Sequence, residues 1–237
     1  MRQIALSALL ALAAVTPAMA QPRAVIELFT SQGCSSCPPA DRMMNGWADQ
    51  NDVVALTMPV DYWDYLGWKD TLASHDFTLR QRAYSEVRGD RNVYTPQVIV
   101  DGLIHAVGSN GADVIAAIAA AHGKADVLSV PVTIGGVPGA YTVTIAAGGP
   151  KAKVLLVPIS SQVKVAIGRG ENNGATITYS NVARGMHPIG DYGGTSMTLA
   201  LDAKALAAPG ADSFAVLVQE MDGGRPGAIL GAALHRP

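Results

Sequence analysis

The chain has 237 residues, 49% of them hydrophobic and 15% charged, with a formal net charge of −2 at pH 7. That much apolar material excludes intrinsic disorder as the main state. The slightly negative balance excludes nucleic-acid binding through a basic face, and two cysteines are too few for a disulfide-built scaffold.

In chain order, the first feature is an export signal. Arg2 supplies a positive start, Ile4 to Val15 is apolar except for Ser7, Pro17 breaks the run, and Ala18-Met19-Ala20 offers small residues to a signal peptidase. These parts predict a secretory signal over residues 1–20, cut before Gln21. The apolar run spans 12 residues, short of the roughly 20 that a helix needs to cross a bilayer. The remainder is expected to be periplasmic or secreted, where disulfides persist, with no membrane contact after cleavage.

Strand and helix then alternate. Ala24 to Thr30 is a run of strand formers. After a Gly-Cys-Ser-Ser-Cys-Pro-Pro turn, Ala40 to Gln50 has helical composition, with Met43, Met44 and Trp47 spaced to share a face. Asp52 to Pro59 is a second strand, and Thr71 to Arg88 a second helix with Phe77, Ala83, Tyr84 and Val87 at near-helical spacing. Gln97 to Asp101 and Leu103 to Val107 form a hairpin about Asp101-Gly102. Asn110 can cap a last helix through Ala121, and Gly123 can end it.

From about Leu128 the period changes to strand-like alternation. Strands are expected at Ser129–Ile134, Ala140–Ile145, Ala152–Ile159, Val163–Ile167, Ala175–Val182, Ser196–Leu201, Ser213–Glu220 and Ala228–His235, separated by glycine-rich turns. This spacing suggests an antiparallel sandwich.

Cys34-Ser35-Ser36-Cys37 lies between the first strand and the first helix. Free N–H groups and the dipole at a helix start stabilise a thiolate there. Two intervening residues let the second sulfur close a ring or resolve a mixed disulfide. Cys34 is then the attacking thiol and Cys37 the resolving one, and no cofactor is required. A static disulfide is an alternative, although so small a loop makes a poor staple. Cu(I) held by both thiolates is another. Zinc needs two more ligands, and no second CxxC or HxxxH occurs.

The order strand–CxxC–helix, strand, helix, Thr95-Pro96–strand–hairpin–strand, helix resembles the thioredoxin fold over about residues 23 to 122. The resemblance implies an α/β thioredoxin-like domain at residues 21–125, followed by an all-β antiparallel sandwich-like domain at 126–237. It also implies that Pro96 is cis against the cysteine pair, with the Thr95 backbone exposed for pairing with a substrate chain. Thioredoxins and DsbA-type oxidants carry an acid near the position of Glu27 that relays a proton to the buried thiol. Glu27 is therefore the relay candidate, and a solvent-facing Glu27 at an edge strand is the alternative.

Longer stretches are similar to one narrower family. They are Glu27 through Asp41 (ELFTSQGCSSCPPAD), Val60 through Asp70 (VDYWDYLGWKD), Arg80-Gln81 with Tyr84, Val93 through Gly102 (VYTPQVIVDG), Gly168 through Asn172 (GRGEN), Asn181-Val182 and Ile229 through Ala233 (ILGAA). They resemble a secreted bacterial thioredoxin-like family of unknown function. Gly33 stands where thioredoxins usually carry tryptophan.

The segment Asp61 to Asp70 holds two of the three tryptophans. Trp63 and Tyr62 are expected to wall a substrate groove beside Cys34; the alternative is that Trp63 and Trp68 bury against the following helix or the β domain and fix the loop. Arg169, Glu171 and Asn172 either belong to an ordinary hairpin turn, or form a junction with the first domain or a ligand groove. The five histidines show no ligand spacing. The expected function is thiol–disulfide exchange on a protein or small-molecule thiol or disulfide. The alternatives are a non-catalytic binding or scaffold module with an inert disulfide, and a Cu(I)-handling protein.

Overall fold

The computed structural model describes residues 21–236. The expected signal at residues 1–20 lies outside the described residues.

The first half builds β1 (Ala24–Thr30), α1 (Pro38–Ala48), β2 (Val53–Pro59), α2 (His75–Arg88), β3 (Gln97–Val100), β4 (Ile104–Val107) and α3 (Gly111–His122). A single turn of 3-10 helix spans Asp64–Leu66. The order is the one the alternating pattern predicts. β1 and β2 are parallel, and β3 and β4 continue the sheet antiparallel. Both β1 and β2 are buried at every position, which is why they read as unbroken apolar runs. Local chemistry sets the helix ends. Prolines 38 and 39 begin α1, where their missing N–H groups cost nothing. Ser74 caps α2 and Asn110 caps α3. Asp101 (φ 51°) and Gly102 (φ 76°) both turn left-handed, and Leu103 N–H donates to Val100 O across them at 2.9 Å.

The second half builds β5 (Val132–Val137), β6 (Ala140–Ile145), β7 (Ala152–Ala166), β8 (Thr176–Ala183), β9 (His187–Tyr192), β10 (Met197–Ala200), α4 (Ala203–Leu206), β11 (Ser213–Asp222) and β12 (Arg225–His235). The two strands expected at 152–159 and 163–167 are one. Ser160 and Gln162 keep pairing with Val182 and Ser180 across the polar interruption. β9 was not expected, because Pro188 and Gly190 mask it. It pairs with the first part of β7 through an irregular register, as an edge strand with proline can.

The all-β antiparallel sandwich expected after residue 125 is corrected. β12, β11, β7 and β8 extend the sheet of the first half, in the order β12-β11-β7-β8-β2-β1-β3-β4. The junction is parallel, with Thr57 opposite Val182. Side chains reinforce it: Thr57 Oγ1 donates to Ser180 O at 2.6 Å and Asn181 Nδ2 donates to Ala55 O at 3.0 Å. Only β5, β6 and β10 form a separate three-stranded sheet. Polarity patterns report which face is covered, not which strand is the neighbour, so the continuous sheet was not visible in the sequence.

Each face of the large sheet has its own cover. On one face, Phe77 and Tyr84 of α2 join Phe29 and Leu56 from the first half with Val157, Leu217 and Ile229 from the second. On the other face, α1 and α3 cover β1 and β3 through Met44 and Ile118. The three-stranded sheet covers β7, β11 and β12 there, through Val143 and Ile145 against Leu156 and Val216. β12 returns to the first half, where its Ile229 N–H donates to Asp101 O at 3.0 Å. A Cβ on Gly102 would lie 2.1 Å from Gly227 O, so this closure requires glycine at the hairpin tip.

Candidate functional site

Residues 31–37 turn the chain from β1 into α1. Cys34 N–H donates to Ser31 O and Cys37 N–H to Cys34 O, both at 3.2 Å. Cys34 and Cys37 are joined as a disulfide with Cα atoms 5.4 Å apart, and Cys37 is the N-cap of α1. The pair thus sits at a helix start, as its place in the sequence predicts. It is not open to solvent: Cys34 is 2% exposed and Cys37 0%.

The loop between β7 and β8 closes over this turn. Asn172 Nδ2 donates to Gln32 O and to Cys34 O, each at 2.9 Å. Trp68 packs with Ile167, Ile177 and Tyr179, and its Nε1 donates to Gln32 Oε1 at 2.8 Å. Asp70 Oδ2 accepts from Gln32 N at 2.8 Å. Gln32 is therefore bound on its N–H, its carbonyl and its side chain. Arg169 and Glu171 flank Asn172 and are exposed. Among the described residues neither forms an ion pair. Of the three residues expected at a junction, Asn172 alone makes it.

Thr95–Pro96 is a cis peptide, brought to the cysteines from the start of β3. Ser36 Oγ donates to Thr95 O at 3.3 Å and lies 3.4 Å from Cys34 Sγ. Trp63 Nε1 donates to Thr95 Oγ1 at 2.8 Å. Gly33 gives this ring its room: a Cβ there would lie 3.1 Å from Trp63 Cβ. Trp63 also packs against the core on the α2 face and stacks on Tyr65, which is 76% exposed. Tyr62 donates its hydroxyl to Gln81 Oε1 at 3.2 Å. Burial pushes that hydroxyl's pKa up to about 12. The structure thus brings Trp63, Thr95 and Pro96 to the pair and leaves Tyr62 fixing the loop.

The relay expected at Glu27 is corrected. Glu27 shares its face of β1 with Val25 and Phe29, towards α2. The neighbouring Ile26 and Leu28 face α1. Glu27 is fully buried in an ion pair with Arg80, at 2.7 Å from Arg80 Nε, and accepts from the Tyr84 hydroxyl. Gln219 of β11 closes the cluster, accepting from Arg80 at 2.8 Å and donating to Tyr84 Oη at 2.8 Å. Side chains alternate along a strand, so Glu27 faces α2 rather than α1, which carries Cys37 at its N-cap.

The acid next to the pair is Asp41, one turn along α1 from Cys37. Its N–H donates to Cys37 O at 3.1 Å and its Oδ1 accepts from Thr30 Oγ1 at 2.7 Å. Its Oδ2 is buried without a partner, as is the Tyr179 hydroxyl on β8. Burial, reinforced by the Asp70 charge, raises the Asp41 pKa to about 7 against the Thr30 hydrogen bond. Burial also raises Asp70 to about 6 and pushes Tyr179 well up, with both acids adding to the effect. The sequence reading missed Gln32, Ser36, Asp41 and Asp70. Asp41 follows the second cysteine by one helical turn, a spacing that could have singled it out.

Among the described residues no cluster of three or more His, Cys, Asp or Glu is placed to hold a metal. A surface cavity of about 540 Å³ lies elsewhere, between Asn51–Val54, Val132–Ile134 and Ala232–Arg236.

No curated protein matches the chain. A protein of Agrobacterium tumefaciens with a crystal structure is 34% identical, over 91% of this chain and 95% of its own, with a TM-score of 0.82. HBP35 of Porphyromonas gingivalis is 12% identical over 91% of this chain and 75% of its own, with a TM-score of 0.57. That second likeness is one of fold. Residues 25–219 match the family described as protein of unknown function DUF1223, and the chain belongs to that family.

Proposed function

We propose that this chain is an exported thiol–disulfide oxidoreductase on a thioredoxin-like fold, with Cys34 attacking and Cys37 resolving. The observation that carries the reading is the meeting of two elements. The disulfide at the start of α1 lies against the cis peptide before β3, bridged by Ser36 between Cys34 Sγ and Thr95 O. A disulfide serving only as a staple has no use for that juxtaposition, and a loop this short adds little stability. The topology of β1 to α3 is consistent with it. The export signal read in residues 1–20 supplies an oxidising compartment.

In the exchange, a thiolate attacks Cys34 Sγ, the S–S bond breaks, and the electron pair leaves on Cys37. The start of α1 stabilises the resulting charge. Asp41, close to half-protonated near neutrality, stands one turn away and is suited to share the proton. The cap formed by Asn172 and Trp68 selects which thiols arrive.

Burial of both sulfurs favours a second reading, an inert disulfide in a binding module. Equilibrating the full chain in glutathione redox buffers separates the two. A pair that is reduced by glutathione and passes its electrons to a disulfide peptide supports the oxidoreductase. A pair that glutathione leaves oxidised sinks it in favour of the binding module.

A further inference from the structure

The Ser36 hydroxyl has one hydrogen and two acceptors within reach, Thr95 O at 3.3 Å and Cys34 Sγ at 3.4 Å. Neither sulfur of the disulfide carries a proton, so Ser36 is the only donor between them. A disulfide sulfur accepts weakly and a carbonyl oxygen strongly, so in the oxidised protein the hydrogen goes to Thr95. A thiolate at Cys34 reverses the order, because hydrogen bonds to charged groups are about twice as strong.

We infer that Ser36 is a redox-driven switch. On reduction its hydroxyl turns from the Thr95 carbonyl to the Cys34 thiolate, stabilising the nucleophile and freeing that carbonyl for the backbone N–H of an extended, disulfide-bearing peptide. This deepens the oxidoreductase reading and rests on it. The neighbouring donors are committed elsewhere. The Trp63 indole bonds the Thr95 hydroxyl, and Asn172 bonds the Cys34 carbonyl. Ser36 itself is exposed, so its hydroxyl is free to rotate.

The cycle balances. The Cys34 thiolate attacks one sulfur of the substrate disulfide. A mixed disulfide forms, and the other substrate sulfur leaves as a thiolate that takes a proton from water. Cys34 Sγ is then neutral and loses its hold on Ser36. Cys37, giving its proton to the Asp41 carboxylate, attacks Cys34 Sγ. The Cys34–Cys37 bond forms and the second substrate sulfur departs as a thiolate. Two electrons have passed from the cysteine pair to the substrate. The hydroxyl returns to Thr95 O and competes with the product's N–H, which speeds release. The reverse direction uses the same steps.

The test reads the Cys34 thiolate by its ultraviolet absorbance against pH, in full-length protein reduced with a phosphine. Ser36→Ala is expected to raise the titration midpoint by about one pH unit, about tenfold less thiolate at a given pH below it. Ser36→Thr, which keeps a hydroxyl, restores it. In carbon-13-labelled protein, the Thr95 carbonyl resonance differs between oxidised and reduced wild type, and the difference is lost in Ser36→Ala. The other titratable groups near the turn are Asp41 and Arg42 on α1, Asp70 in the aromatic loop and Tyr179 on β8. They are the same in every variant. A Ser36→Ala midpoint equal to wild type overturns the inference. So do a Ser36→Thr shift as large as that of Ser36→Ala, an unchanged Thr95 resonance in wild type, and a disulfide that the phosphine cannot open. Wild type that shows the Ser36 effect yet never exchanges with glutathione sinks the oxidoreductase reading and leaves the hydroxyl switch standing.

Discussion

Glu27 and Asp41 are both buried acids, and their surroundings give them opposite fates. Glu27 is held by Arg80, Tyr84 and Gln219. Arg80→Met removes the counter-charge and leaves that carboxylate buried alone. The expected loss is about 3–5 kcal/mol in urea unfolding of the oxidised protein, and a loss under about 1 kcal/mol would show the cluster to be dispensable. Asp41 is raised to about 7 by burial, while its pKa in the unfolded chain stays near 3.8. Between those values the folded protein holds a proton that the unfolded chain has lost, so stability falls as pH rises from about 4 to about 7. Asp70 and Asp101, each raised to about 6, add to the same slope. Asp41→Asn is expected to flatten that decline in urea midpoints taken across the range. Equal slopes for variant and wild type would remove Asp41 as its source. Neither environment could be read from the sequence, since an acid in a strand or in a first helical turn looks alike whether paired or orphaned.

The elements around the cysteines were legible to different degrees. β1, α1 and the Asp101-Gly102 hairpin follow from local rules, because a β-rich run, a proline pair and an Asp-Gly turn act within a few residues. The capping loop does not. Its Asn172 reaches Gln32 and Cys34 about 140 residues away in the chain, and as sequence it is an ordinary hairpin turn. Asn172→Ala removes both hydrogen bonds and loosens the cover. Reduction of the disulfide by a small thiol should then run about tenfold faster, with global stability lowered by only about 1–2 kcal/mol. Stopped-flow reduction and urea unfolding read the two effects separately, and unchanged reduction kinetics would show that the loop does not limit access. Trp63 illustrates the same limit. Its aromatic loop was conspicuous in the sequence, but whether it would bury or wall a groove depended on where Thr95 came to lie. It packs on the core, and its indole N–H holds Thr95.

At the scale of the whole molecule, the two halves share the large sheet and the core on its α2 face. Val157, Leu217 and Ile229 complete the face on which Phe29, Leu56 and α2 pack. The Glu27–Arg80 pair is closed by Gln219 from the second half. Residues 21–125 expressed alone are therefore expected to lack cooperative folding. They would expose that apolar face and leave a buried ion pair partly unsatisfied. The full chain should unfold in a single transition by both fluorescence and circular dichroism. A fragment that unfolds cooperatively, with dispersed amide resonances, would contradict this and restore two independent units.

The sequence by itself determined the alternation of the first half, the strand-rich second half, the place of the cysteine pair at a helix start, and the hairpin before α3. These depend on periodicity, caps and turn residues, all of which act over short distances. The tertiary structure alone decided that strands of both halves join in one large sheet, that Glu27 faces α2, that Asp41 lies orphaned beside Cys37, and that a loop from the second half covers the disulfide. Each of these depends on which distant strand becomes a neighbour, and the burial pattern of a strand is the same for any partner that covers it.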